Sequence, residues 1–207
     1  MNRRMLVSLV AVLFSLSAAL AHAQAKRAED SRFVIVSDAA TQYSTEGKTW
    51  RPAVLAWVHP AWPSLPGAKW IWTGELVTPE EAQNGSGVVI FRRRFAWNGS
   101  EGARADIQIA VDNAYELTVN GKPLSRKGPL NRLSNEDALW RVTDRCTCLL
   151  RRGENEIVIK AMNYHWPYSG VPSAKDNPGG VLFRLEARAA QPSVWISAPG
   201  AKQGQRP

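Results

Sequence analysis

The residues best suited to holding a ligand fall in one connection, Asn163–Gly180. Tyr164, His165, Trp166 and Tyr168 stand within five residues of one another, and Asp176 and Asn177 follow at its far end. Flat rings pack against the C–H patches of a sugar, while Asn, Asp and Arg side chains take its hydroxyls. Trp140 offers another ring. Asp112 and Asn113 add two polar groups, provided their turn lies at the same end of the fold. A connection this long exceeds what a hairpin needs, and such loops often carry function. Packing of the loop itself is the commoner role for such rings, so that reading stands beside the ligand one.

The residues of catalysis are not assembled in the same way. Glycoside hydrolysis needs two carboxylates flanking one bond, but Asp106, Glu116, Glu156 and Glu186 take outward strand positions, where solvated charge is the ordinary role. The sequence has no G-x-S-x-G, H-E-x-x-H or Gly-rich phosphate loop. His59 and His165 are isolated loop histidines. The expectation is no enzymatic activity and no catalytic residues. Cys146 and Cys148 are the two cysteines. An extended i, i+2 pair spans ~6.5 Å, the upper edge of disulfide geometry. Two buried or loosely paired thiols therefore rank first, a strained local disulfide second, and a metal site last, because C-x-C without a neighbouring His or Cys is a weak ligand signal.

The elements that must position these residues are strands. In Ala105–Leu124, Ile107, Ile109 and Val111 alternate with Asp106, Gln108 and Asp112, the period of a half-buried strand. Tyr115, Leu117 and Val119 repeat the pattern, and Asn120-Gly121 after them is the strongest short hairpin signal, since both residues tolerate positive φ. Phe33–Val36 predicts a short strand, 39–48 a loop, and 50–58 an edge strand or extended segment because of Pro52. Trp70-Ile71-Trp72 reads as a strand start with both rings on one face. Thr78-Pro79-Glu80-Glu81 reads as an N-cap, a first-turn proline and acids, enough for one helical turn. In Val88–Trp97, Val89, Phe91, Phe95 and Trp97 share a face with Arg93, which either snorkels past the rings or is turned out by a bulge. Residues 125–137 are expected to be irregular, with strands at Leu139–Val142, around Ile157–Ala161 and at Val181–Ala187. Short alternating strands with Gly and Pro turns make an all-β chain, a sandwich or a barrel.

The first residues carry an address. Met1-Asn2-Arg3-Arg4 is basic, Met5–Leu20 is apolar, and Ala21-His22-Ala23 is an A-x-A cleavage site, together the pattern of a signal peptide ending at residue 23. Export to the periplasm or the extracellular space is expected, with no membrane span after cleavage. Removing Arg3 and Arg4 takes Lys+Arg from 26 to 24 against 18 acids, so the net charge falls from +8 to +6. The basic residues are scattered and do not alternate with aromatics on a helix, which excludes nucleic acid as the expected partner. One domain over 24–190 is expected, with its core at 67–188, N-terminal extended strands at 32–66 and a Pro-, Gly- and Gln-rich tail at 191–207.

Several local patterns occur in a telling order: Trp70-Ile71-Trp72, Phe91–Phe95, Asp112-Asn113-Ala114-Tyr115, Val119-Asn120-Gly121, Leu149–Asn155, Ile157–Asn163 and Asn177-Pro178-Gly179-Gly180. In this order they resemble the galactose-binding-like jelly-roll modules that accompany secreted rhamnosidase- and β-galactosidase-type glycoside hydrolases and occur in bacterial surface proteins. The resemblance covers about residues 67–188 and implies an eight-stranded antiparallel β-sandwich. It implies no catalytic residues, and it implies a role in binding glycans, packing against a catalytic domain or spacing domains. Some relatives hold a structural calcium ion in their loops. Here Asp112, Asp137, Asp144 and Asp176 are candidates by chemistry alone. Two functions follow as expectations: a secreted, non-catalytic carbohydrate-binding-like module, or a structural or adhesive protein that binds another cell-envelope protein. A hydrolase is a distant third.

Overall fold

The computed structural model describes residues 32–130 and 139–188. The expected signal peptide, the C-terminal tail and Asp137 lie outside the described residues. Twelve strands build two antiparallel sheets among these residues. They are β1 (Arg32–Val36), β2 (Gln42–Ser44), β3 (Arg51–Pro52), β4 (Val54–Leu55), β5 (Ile71–Trp72), β6 (Val89–Trp97), β7 (Ala103–Asp112), β8 (Ala114–Val119), β9 (Lys122–Lys127), β10 (Asp144–Leu150), β11 (Gly153–Met162) and β12 (Gly180–Arg188). One helix, α1 (Pro79–Asn84), joins β5 to β6.

The first sheet runs β10-β7-β12-β5-β4, with β1 also paired to β12; the second runs β3-β2-β6-β11-β8-β9. The eight strands β5–β12 alone give β10-β7-β12-β5 facing β6-β11-β8-β9, so the chain crosses between the sheets in the winding of a jelly roll. The fold is an all-β, antiparallel β-sandwich. To the eight expected strands it adds β1–β4 from residues 32–55.

The alternation read from sequence fills the space between the sheets. Ile107, Ile109 and Val111 of β7, Tyr115 and Leu117 of β8, Ile157 and Ile159 of β11 and Phe183 and Leu185 of β12 are all buried in one core with Phe91, Trp72 and Trp97. Burying a large apolar side chain contributes ~1.5–3 kcal/mol, so this row of residues fixes which face of each strand turns inward. Arg93 stays in the regular ladder opposite Ile157, with no bulge. It snorkels instead, and its Nη1 reaches Asp38 Oδ1 at 2.7 Å.

Four expectations need correction. The 39–48 stretch is not all loop: Gln42–Ser44 pairs with β6, helped by an Arg92 Nη2–Gln42 Oε1 hydrogen bond of 2.7 Å. Leu139–Arg141 is a 3-10 turn, not a strand. Trp140 there sets its ring edge-on to His59, 5.1 Å away. β9 extends the hairpin to Lys127, into the stretch expected to be irregular. Finally, Trp70 and Trp72 do not share a face. Trp72 enters the inter-sheet core, whereas Trp70 stacks on Trp62 (4.1 Å) against Ala110 and Leu182 on the outer side of the first sheet. β5 is only two residues long, too short for a ladder to impose the period of two.

Cys146 and Cys148 are free thiols on the inward side of β10, and burial pushes both thiols up to about 11. At neutral pH they are protonated, poor nucleophiles and poor metal ligands.

Candidate functional site

A groove of about 650 Å³ opens beside α1. Three segments wall it: the β2–β3 connection, Thr73 after β5, and the stretch from Thr78 through α1 to Val89. Each wall has a local cause. Ser44 Oγ accepts the Gly47 backbone N–H at 2.9 Å and so curls the β2–β3 loop. Thr78 is the N-cap expected from sequence: its Oγ1 accepts the Glu81 N–H at 3.1 Å, and Pro79 opens the helix. Gly85 ends it at φ +77°. A Cβ there would lie 2.7 Å from Asn163 O and His165 N, so only glycine lets the helix end press against the 163–165 backbone.

The lining is rich in oxygen. Ser44, Thr45, Thr49, Thr73, Thr78 and Ser86 bring hydroxyls; Glu46, Glu80 and Glu81 bring carboxylates; Arg51 brings a guanidinium and Tyr43 a ring. Glu46, Glu80 and Arg51 are exposed. Glu81 is half-buried, and its Oε1 accepts the indole N–H of Trp72 at 2.8 Å. Burial pushes its carboxyl above the usual carboxylate range, only partly offset by that hydrogen bond. Such a lining supplies acceptors and donors to a polyhydroxylated molecule.

The residues singled out from sequence divide among separate settings. Asn113, Tyr164 and Asn177 form a partly buried brace. Asn113 Oδ1 accepts the Tyr164 N–H at 2.7 Å, the Tyr164 hydroxyl donates to Pro129 O at 3.1 Å, and Asn177 Nδ2 donates to both Ala82 O and Tyr164 O at 2.8 Å. Tyr164 is buried at 3% exposure and presents no ring face to a ligand. The 163–177 connection thus grips α1, with the Trp166 N–H on Gln83 O and the Ser86 N–H on Asn163 O. It positions the groove wall and does not line it.

Trp166 and Tyr168 form an edge-to-face pair, 5.0 Å apart, on the surface. His165 Nδ1 is buried with no hydrogen-bond partner among the described residues. Asp176 closes its own turn: Oδ2 accepts the Ser173 N–H at 2.7 Å, and the Ser173 bonds hold its carboxyl below the usual range. Asp112 and Trp140 lie on the outer side of the first sheet, where His59 stands between Trp140 and Trp62. There Trp62 Nε1 donates to Asp112 Oδ2 at 3.0 Å, while Oδ1 finds no hydrogen-bond partner among the described residues. Burial pushes Asp112 up to about 8, although hydrogen bonds from Trp62 and Asn113 pull the other way.

Among the described residues the suggested calcium ligands are not gathered. Asp112 is under Trp62, Asp144 takes Lys127 Nζ and the Tyr115 hydroxyl, and Asp176 is turned to Ser173. Among the described residues no group of three or more His, Cys, Asp or Glu side chains could hold a metal ion. The groove residues escaped the sequence reading because three distant segments supply them; the Thr78-Pro79-Glu80-Glu81 cap was the one legible signal.

No family model matches the chain, and no curated protein matches it. Among solved structures it is similar to a family 35 carbohydrate binding module from Clostridium thermocellum (13% identity, 76% of this chain and 99% of that one, TM-score 0.40). It is similar to part of an α-L-rhamnosidase from Streptomyces avermitilis (24% identity, 66% of this chain and 12% of that one, TM-score 0.45). It is also similar to part of a GH2 β-galacturonidase from Eisenbergiella tayi (14% identity, 75% of this chain and 24% of that one, TM-score 0.39). The chain thus spans about an eighth and a quarter of the two enzymes. These are likenesses of fold, and the jelly roll assigned to this chain rests on its own strand order.

Proposed function

We propose that this protein is a secreted, non-catalytic carbohydrate-binding-like module whose glycan seat is the groove beside α1. The observation that carries the reading is the lining: hydroxyls, carboxylates and one arginine converge on about 650 Å³. A volume of this order holds a short sugar chain. Export follows from the basic-apolar-AHA start of the sequence.

A glycan array with the exported protein, followed by titration of the best hit, tests this. The expected result is millimolar or tighter binding to one sugar class. Glu46→Ala with Glu80→Ala should weaken it at least tenfold with an unchanged melting temperature, since both side chains are exposed. Silence across the array, or binding indifferent to the double variant, overturns the groove as the glycan seat.

A further inference from the structure

The outer side of the first sheet is only partly covered. The 56–70 segment lays Trp62, Leu65 and Trp70 on Ala110 and Leu182, and its edge is tied down where Arg184 Nη1 donates to Pro66 O at 2.8 Å. Beyond that edge, β10, β7 and β12 leave a recess of about 710 Å³. The recess lies on the opposite sheet from β2 and β6 and shares no lining residue with the groove beside α1.

The side chains on this bare part are ordered by register. One row is Arg145–Gln108–Arg184. The next outward row is Thr147–Asp106–Glu186. The third carries Arg104, adjacent to the Ala105–Ala187 pair, with Arg188 and its partner Arg32. A rise of about 3.4 Å per residue puts the two arginine rows roughly 14 Å apart. Five arginines face two carboxylates. Glu186 is engaged by Arg32 and Arg184 (2.9 and 3.0 Å). Asp106 accepts from Thr147 Oγ1, and Arg104 spends one N–H on Thr147. Arg104, Arg145 and Arg188 have no carboxylate partner among the described residues and are exposed.

Arginine forks match carboxylates bidentately. The row between them offers Asp106, Glu186 and Thr147, which suit hydroxyls and repel a densely charged polymer. We propose that this face docks a polyuronate chain, its carboxylates on the two arginine rows and its hydroxyls on the row between. The recess is lined by β7, β10 and β12, and the carboxylates set among its arginines disfavour a bilayer or a duplex, whose phosphates are closely spaced.

Calorimetric titration with unesterified oligogalacturonate, at 50 and 300 mM NaCl, tests the proposal. Binding should weaken at least tenfold at the higher salt, because exposed charge pairs are screened. Arg104→Gln with Arg188→Gln should cost at least tenfold at low salt with melting unchanged, and Arg145→Gln should lower affinity further. Methyl-esterified polymer should not bind. The groove variant Glu46→Ala with Glu80→Ala should bind oligogalacturonate normally, which separates failure here from failure of the groove. Equal binding of the esterified polymer, indifference to the arginine variants, tighter binding of heparin, or capture by anionic phosphatidylglycerol vesicles that oligogalacturonate cannot reverse would each overturn it.

Discussion

The indole N–H of Trp72 donates to Glu81 Oε1 across 2.8 Å and couples the hydrophobic core to the groove. Trp72 is fully buried between the sheets, so its ring cannot move without cost, and Glu81 is held at one orientation in the groove wall. The exposed Glu46 and Glu80 have no such anchor.

Trp72→Phe keeps most of the core volume and removes the donor. It should cost about 1–2 kcal/mol of stability and leave Glu81 with a carboxyl raised further, since the hydrogen bond that lowers it is gone. Glycan affinity at the groove should fall, and should drop more steeply on acidification than in the wild type. Calorimetry across a pH series measures it; unchanged affinity and pH profile would show that Glu81 takes no part.

Asp112 predicts a stability that falls as pH rises. Its carboxyl is pushed up to about 8 by burial, above the usual range near 4 for an unfolded chain. Between those values the native state holds a proton that the unfolded state has released. The stabilisation is therefore complete below about pH 4 and is lost as pH climbs through about 8, a difference of several kcal/mol at most. Melting temperature should drop from pH 6 to pH 9, and Asp112→Asn should flatten that slope. A wild-type protein with a flat profile over this window would contradict it.

The hairpin behind β8 gives a sharper number. Asn120 at φ +52° and Gly121 at φ +76° have the two positive φ values of a type I′ turn. Asn120 also donates from Nδ2 to Asn155 Oδ1 at 2.8 Å. Gly121→Val puts a β-branched residue at a φ it rarely adopts and should cost roughly 1–3 kcal/mol, read by chemical denaturation.

Much of this fold was legible because burial leaves a period of two in the longer strands, as in Ile107-Ile109-Val111 and Ile157-Ile159-Ala161. Thr78 was legible because capping is a local hydrogen bond. What failed was short or assembled from afar. Trp70 and Trp72 took opposite sides because a two-residue strand imposes no alternation. Gln42–Ser44 carries no apolar pattern and pairs through its backbone and one arginine. The groove joins residues 43–51 to residues 73–89, and no spacing within either segment announces the other. The aromatic loop stands out in the sequence, but Asn177 is spent bridging Ala82 O of α1 to Tyr164 O, and the Tyr164 hydroxyl is spent on Pro129 O.

That grip makes the last prediction, which sets two loop residues against each other. Asn177 donates twice to backbone carbonyls at 2.8 Å, so Asn177→Ala leaves Ala82 O and Tyr164 O without that partner. A buried carbonyl stripped of its donor costs about 1–3 kcal/mol, and the wall of the groove that α1 forms loses its brace. Stability and groove affinity should both fall, although Asn177 does not line the groove. Trp166 is half-buried and packs edge-on to Tyr168; only its backbone N–H reaches Gln83 O, and alanine keeps that bond. Trp166→Ala should cost about 1–2 kcal/mol and change groove affinity less than twofold. Melting and glycan titration of both variants decide the matter: if Trp166→Ala abolishes binding while Asn177→Ala spares it, the ligand rests on the aromatic loop and not in the groove.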